Sequence, residues 1–456
     1  MGEYFGTDGI RGIVNAEMDS GLAFKTGQAA AMVLSEGIGG GRPVFAIGKD
    51  TRISGDMLEA ALIAGLCTAG ADVLRLGIVP TPAVAFITRE SGTDSGIVIS
   101  ASHNPFEYNG IKIFDSKGFK LSDEIESKIE ELLKHEERLV NKTGREVGRV
   151  LGNNNDYTER YIAHVIKSAE APIKGLKVLM DCANGAAAVT ASRIFGKFPI
   201  EVDFIKEHPD GVNINNKCGS TDLRLLRKLT AAGDFDIGLA FDGDADRCLA
   251  ADENGNIIDG DKIMAICGVD MKNKGILKHN SIVVTIMSNM GFQKYLENEG
   301  IKILRTTVGD KYVLEKMLEG GYNLGGEQSG HIIFSDDSVT GDGQLAAVKL
   351  LSALSSFGGK ASEMVSEIRE YPQILENVTI PGGNEAKEAL MSDPELLGAI
   401  AREESRLGEK GRILVRPSGT EAVIRIMVEA EDEPDVISCA KYLTKVIKSR
   451  SKPQIN

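Results

Sequence analysis

A hydroxyl nucleophile stands beside an imidazole in Ser100-Ala101-Ser102-His103-Asn104-Pro105, directly after the apolar run Gly96-Ile97-Val98-Ile99. A serine hydroxyl is a weak nucleophile unless a base or a metal assists it. Sequence neighbours often point apart, so His103 need not be that base, and no glycine stands two residues either side as a nucleophile elbow requires. Read alone, the stretch is also a strand stopped by Pro105 with a turn begun at Asn104. The polar loops downstream tip the balance toward chemistry.

Asp242-Gly243-Asp244-Ala245-Asp246-Arg247 puts a carboxylate at every second residue. In an extended segment these face one way, and three carboxylates together repel unless a hard cation joins them. A Mg2+ site is the expectation. An EF-hand loop fits the aspartates and Glu253, but Arg247 replaces the required glycine and the flanks read as strands. An aspartyl-phosphatase start would prefer a hydroxyl where Asp246 stands. The loop Gly325-Gly326-Glu327-Gln328-Ser329-Gly330-His331 offers acceptors and donors suited to sugar hydroxyls, with glycines that let a ligand approach the backbone. Arg416-Pro417-Ser418-Gly419-Thr420-Glu421 joins a guanidinium to two hydroxyls and backbone N–H groups, the means by which phosphate is held. Arg11 in Phe5–Gly12 and Lys112, ten residues past Ser102, gain meaning only with this ensemble.

These loops need strand ends to carry them. Three stretches repeat the order strand, small-residue turn, helix, strand: Val44 to Leu76, Lys177 to Ile205 and Ser281 to Leu304. Each is followed by a further strand that runs into one of the first three loops. Apolar strands alternating with helices predict α/β layers, and ligand groups in such folds gather beyond strand ends. Three such units predict three domains facing one cleft. The boundaries read as 1–153, 154–254, 255–367 and 368–456, with polar linkers near 135–156 and 358–372 and a looser one near Asp252–Asp261. The last domain reads as α+β, with strands at Arg412–Val415 and Val423–Val428 and a helix from Pro434 to Lys448. Gly37 to Gly41 precedes its strand, so it is no dinucleotide fingerprint.

The bulk properties agree. The 456 residues carry a formal charge of −14, which argues against nucleic acid or an anionic membrane as partner but not against a small anion held by local cations. Six scattered cysteines without a C-x-x-C pair read as reduced thiols of a cytoplasmic protein. Neither a signal pattern nor an apolar run of about 18 residues is present.

Over its whole length the chain resembles the α-D-phosphohexomutase superfamily, with the four loops in family order. The Phe5–Gly12 opening, Met287-Ser288-Asn289-Met290-Gly291, Val308-Gly309-Asp310-Lys311-Tyr312 and Glu327–His331 resemble its bacterial amino-sugar branch. The resemblance implies three similar α/β domains plus a C-terminal α+β domain around a central active-site cleft. It implies that Ser102 is carried as phosphoserine and that Ser102, Asp242, Asp244 and Asp246 hold Mg2+. It gives Arg11, Lys112, His103, Arg247 and His331 to catalysis, Glu327 and Ser329 to sugar hydroxyls, and Arg416, Ser418, Gly419, Thr420 and Arg425 to the phosphate that is not reacting. The implied reaction interconverts glucosamine 6-phosphate and glucosamine 1-phosphate, feeding UDP-N-acetylglucosamine synthesis, with a hexose 1,6-bisphosphate as activator; mannose or glucose phosphates are the alternative substrates. The implied partner is a small sugar phosphate, and a homodimer stays open. The chain departs from the family pattern at Ala245, at Ala422 where proline is usual, and at Asp310 where a histidine often stands, which shifts acid–base duty toward His331 or Lys112.

Overall fold

The computed structural model describes residues 4–6, 8–36, 41–153, 155–381, 383–418 and 422–451. These form two compact units, Met1–Met287 with Gly300–Ser366, and Ser288–Glu299 with Glu367–Asn456.

The first unit holds three sheets. Its central strands, Ser95–Ile99, Ile237–Phe241 and Ser281–Thr285, are buried along their whole length. Continuous apolar runs of this kind belong in sheets covered on both faces. The first sheet has seven strands in the order Phe5–Gly6, Gly9–Ile13, Tyr108–Asp115, Ser95–Ile99, Val44–Lys49, Asp72–Ile78, Val150–Asn153. Val44–Lys49 pairs parallel with both Asp72–Ile78 and Ser95–Ile99, whereas Tyr108–Asp115 returns antiparallel beside Ser95–Ile99. That return brings Lys112 level with Val98, in the same sheet as the strand feeding Ser102. The helices Ser20–Leu34 and Gly55–Thr68 lie together at close range: a Cβ on Gly65 would stand 1.9 Å from Phe24 O.

The second sheet runs Ile257–Ile258, Cys248–Asp252, Ile237–Phe241, Lys177–Asp181, Glu201–Ile205. The third runs Lys302–Thr306, Ser281–Thr285, Leu324–Gly326, Ile332–Phe334. In each, a buried strand ends where a polar loop begins: Ile99 before Ser100, Phe241 before Asp242, Gly326 before Glu327.

The second unit is an antiparallel sheet in the order Gln373–Thr379, Val423–Ala430, Gly411–Pro417, with helices Gly383–Met391, Pro394–Leu407 and Glu433–Arg450. Its core includes Ile424, Ile426, Val428, Leu396, Val436 and Leu443. Met290–Asn298 belongs here too: Met290 N donates to Glu429 Oε1 at 2.8 Å and Asn289 Nδ2 to Tyr371 O at 3.0 Å.

Two stretches expected as linkers carry structure. Val150–Asn153 is the edge strand of the seven-stranded sheet, and Ala361–Met364 is a helical turn. Both are only four residues long, too short to show an apolar period. The turn after Cys248–Asp252 is tight because the Asp252 carboxylate accepts from Asn254 N and Asn256 N. Gly37 to Gly40 lie outside the described residues.

Candidate active site

Three strand-end loops of the first unit meet. Ser102 Oγ donates to Asp242 Oδ2 at 2.8 Å, although the residues lie 140 apart in sequence. His331 Nδ1 is 3.5 Å from Asp246 Oδ2, which brings in the third loop. Lys112 Nζ lies 2.9 Å from Asp244 Oδ2 and 3.1 Å from Asp8 Oδ2. Arg11 bonds Asp8 from the same N-terminal turn.

Asp242, Asp244 and Asp246 are buried, with ligand oxygens all within 4.8 Å of one another. Burial, then Asp246 and Asp244, pushes the Asp242 carboxyl well above its usual range. Asp246 runs the other way: burial opposes its charge, but Lys112, His331 and Arg247 outweigh it and lower its pKa. Asp244 Oδ1 and Asp246 Oδ1 are buried and, among the described residues, accept no hydrogen bond. Orphaned carboxylate oxygens beside a group that resists ionisation fit a hard divalent cation with oxygen ligands. Thr81, at the start of the helix Thr81–Ser91, holds the loop, donating N to Asp244 O at 2.9 Å and Oγ1 to Asp244 Oδ2 at 2.7 Å.

A cavity of about 560 Å³ opens beside this cluster, lined among others by Arg11, His103, Lys112, Arg247, Glu327 and His331. Glu327 Oε1 accepts from Gly309 N at 3.1 Å, tying the sugar-loop carboxylate to the loop before Asp310, and its Oε2 accepts from Ser329 Oγ at 3.3 Å. Gln328 Nε2 donates to Asp259 Oδ2 at 3.1 Å.

Charge at the cavity wall follows from pairing. Burial opposes the Lys112 cation, but Asp244, Asp8 and Asp246 outweigh it and raise its pKa above the ordinary lysine value. Lys112 is therefore a fixed cation. Burial lowers the pKa of His103, and Arg247 and Arg11 lower it further, so this imidazole is neutral near pH 7. Its Nδ1 is 3.4 Å from Ser102 Oγ. Burial also disfavours charge on His331, but Asp246 and Asp310 reverse this and raise its pKa.

Lys120, which joins Asp8 and Asp310, gives no sequence signal of its own. Lys120 Nζ sits 2.6 Å from both Asp8 Oδ1 and Asp310 Oδ2, and Asp310 Oδ2 is 3.4 Å from His331 Nε2. Lone charges separated by tens to hundreds of residues look like solvated surface in a sequence.

In the second unit, Arg416 and Arg425 stand directly opposite across the antiparallel pair Gly411–Pro417 and Val423–Ala430. Like charges so placed repel, and an anion between the guanidiniums relieves that. The buried Lys387 adds a cation, its Nζ donating to Ser418 O at 2.6 Å. Gly419 and Thr420 lie outside the described residues.

The chain belongs to the phosphoglucomutase/phosphomannomutase family: the family's alpha/beta/alpha domains I, II and III match residues 2–140, 157–255 and 259–371, and its C-terminal domain matches 375–446. More narrowly, it is similar to the phosphoglucosamine mutase of Caldanaerobacter subterraneus subsp. tengcongensis, 50% identical over 450 residues that cover 99% of this chain and 100% of the relative. Its fold is shared with a phosphoglucomutase/phosphomannomutase family protein from Burkholderia thailandensis (TM-score 0.83, 24% identity, 99% of this chain and 98% of that one). It is shared also with the Aspergillus fumigatus N-acetylphosphoglucosamine mutase solved in complex with GlcNAc-6P and magnesium (TM-score 0.66, 17% identity, 98% and 96%). No helix among the described residues is long and apolar enough to cross a membrane.

Proposed function

We propose that this chain interconverts glucosamine 6-phosphate and glucosamine 1-phosphate, with Ser102 as the phosphoryl carrier and a 1,6-bisphosphate as intermediate. The observation that carries the chemistry is Ser102 Oγ at 2.8 Å from a buried aspartate of a three-carboxylate cluster. Identity near one half along the whole length with phosphoglucosamine mutases supports the substrate.

Phosphoryl transfer asks chiefly for positioning and charge neutralisation. Asp242, Asp244 and Asp246, with an oxygen on Ser102, would hold the Mg2+, which when bound draws charge from the transferring phosphoryl group. Arg11, Arg247 and the permanently charged Lys112 line the place where the phosphoryl oxygens gather their charge. In the first half-reaction the P–Oγ bond of phosphoserine 102 breaks and a bond from phosphorus to the sugar hydroxyl forms. The hydroxyl proton needs an acceptor; His103, neutral and facing the cavity, is suited to take it. In the second half-reaction the other phosphoryl group returns to Ser102 Oγ and the proton to the departing hydroxyl. Glu327 and Ser329 orient the sugar ring, with His331 beside them. We assign Arg416, Ser418, Gly419, Thr420 and Arg425 to the phosphate that is not reacting.

The test is a substrate panel at saturating Mg2+ with a hexose 1,6-bisphosphate to keep Ser102 phosphorylated. Glucosamine 6-phosphate should give the highest kcat/KM, ahead of glucose 6-phosphate and mannose 6-phosphate. One charge-assisted contact to the C2 ammonium is worth about 1.5–3 kcal/mol, so roughly tenfold to a hundredfold is expected. A better rate with mannose or glucose phosphate would leave the family and remove the amino-sugar assignment.

A further inference from the structure

The loop that presents Ser102 is gripped by its carbonyls. Ser102 sits in the left-handed region at φ 50°, which costs a residue with a Cβ about 1–2 kcal/mol and persists only where the surroundings over-determine it. Arg52, its side chain fully buried, donates Nη2 to Ser102 O at 2.9 Å and to Asn104 O at 2.8 Å, and Nη1 to Pro105 O. Asn215, from the second domain, donates its Nδ2 to the same Ser102 and Asn104 carbonyls at 2.9 and 3.1 Å. Asp50 locks the guanidinium: its Oδ2 accepts from Arg52 Nε at 2.8 Å and from Ser100 Oγ at 2.6 Å, and Ser100 Oγ accepts from Ser102 N at 2.9 Å. Gly243 of the acidic loop closes the remaining side, where a Cβ would come within 2.6 Å of Ser102 O. None of these groups touches Ser102 Oγ; all fix the peptide from which it projects.

We infer that Arg52 and Asn215 are positioning residues for phosphoryl transfer, which set the line along which Ser102 Oγ meets the Asp242 carboxylate by holding the Ser102 and Asn104 carbonyls. The inference rests on Ser102 being the phosphoryl carrier. Arg52→Lys keeps a cation beside Asp50, but an ammonium cannot span three carbonyls. Asn215→Gly removes the second grip at a half-buried position whose φ of 56° glycine adopts freely.

The experiment measures kcat and KM for the mutase reaction in the full-length chain with Mg2+. It also follows the single-turnover rate at which hexose 1,6-bisphosphate phosphorylates Ser102, by intact mass. Both substitutions should lower kcat and the phosphorylation rate by about 10–100-fold, the scale of a 1 Å misplacement, with KM within about threefold of wild type. Added guanidinium should restore part of the rate to Arg52→Ala. Wild-type kcat in both variants, or a loss confined to KM, overturns the inference. Should Arg52→Lys fold poorly, Asn215→Gly decides alone. A wild-type enzyme that turns over without ever carrying phosphate on Ser102 overturns the parent reading instead, and the wild-type mass reports that separately.

Discussion

Ser102 combines a strained backbone, a bond to Asp242 and no side-chain bulk that the fold needs. Ser102→Ala should therefore abolish turnover and the phosphoryl adduct on the intact chain. Its melting temperature should stay close to wild type, because a loop hydroxyl contributes little to stability and alanine meets the same left-handed strain as serine. Turnover within tenfold of wild type, measured against the same bisphosphate activator, would refute a phosphoserine route. At this scale the sequence was legible where chemistry is local. Ser102, Asp242, Asp244, Asp246, Glu327 and His331 stand in short polar loops after apolar strands, and the first unit brings all of them together. Arg52, Thr81, Lys120 and Asn215 receive no role from the sequence, because each acts through a partner distant in sequence. Gln328, in the same loop as Glu327, likewise reaches a distant partner, its Nε2 donating to the helix cap Asp259.

Elements aim these side chains, and their termini carry charge of their own. The helix Gly343–Phe357 begins at Asp342, whose carboxylate accepts from Leu345 N at 3.0 Å and from the Tyr161 hydroxyl at 3.0 Å. Gly343 N in turn donates to Ala245 O at 3.0 Å, so this helix start buttresses the acidic loop. Burial pushes the Asp342 carboxyl from its ordinary value near 3.8 up to about 7. The native state then keeps a proton that the unfolded chain has already lost. Its stabilising effect is complete below the unfolded pKa and disappears as pH rises through about 7. Asp342→Asn removes that titration while retaining a cap, so its melting temperature relative to wild type should improve between about pH 5 and about pH 8. An equal difference at both pH values would count against it. The hairpin of Gly411–Pro417 and Val423–Ala430 allows a second test. Arg416→Lys keeps the charge opposite Arg425 but loses the planar fork. KM for the sugar phosphate should rise by about tenfold or more, the cost of one charge-assisted contact, with free 1,6-bisphosphate released during turnover. An unchanged KM and no release would exclude Arg416 as a phosphate ligand. The strands of this hairpin were readable from apolar runs; Val150–Asn153 was not, since four residues are too few to show a period.

At the scale of the whole molecule, sequence order and spatial order part company. The three α/β repeats were readable as a period of strand, turn and helix, and the first unit contains their sheets in that order. Ser288–Glu299 is the exception: it lies within the third repeat in sequence yet belongs to the C-terminal unit, where Arg412 Nη2 donates to Ser288 O at 2.6 Å. No periodicity reports which neighbour a helix chooses. Inside the first unit, the acidic loop is the place where separate domains are tied: Thr81 and Lys112 of the first domain both bond Asp244, and His331 of the third faces Asp246. A cation taken up by that loop should thus stabilise the unit as well as support turnover. A ligand that binds only the folded state adds about 2.7 kcal/mol at a hundredfold excess over its Kd. Raising Mg2+ should accordingly raise the melting temperature of wild type in step with activity, and a chelator should reverse both. Asp244→Asn should lose the thermal response and most of the activity. It removes one of three mutually repelling carboxylates, but it also removes a partner of Lys112, so its metal-free melting temperature should stay near that of metal-free wild type. Full activity in excess chelator, or a melting temperature indifferent to Mg2+ in wild type, would show that the three aspartates hold no functional cation.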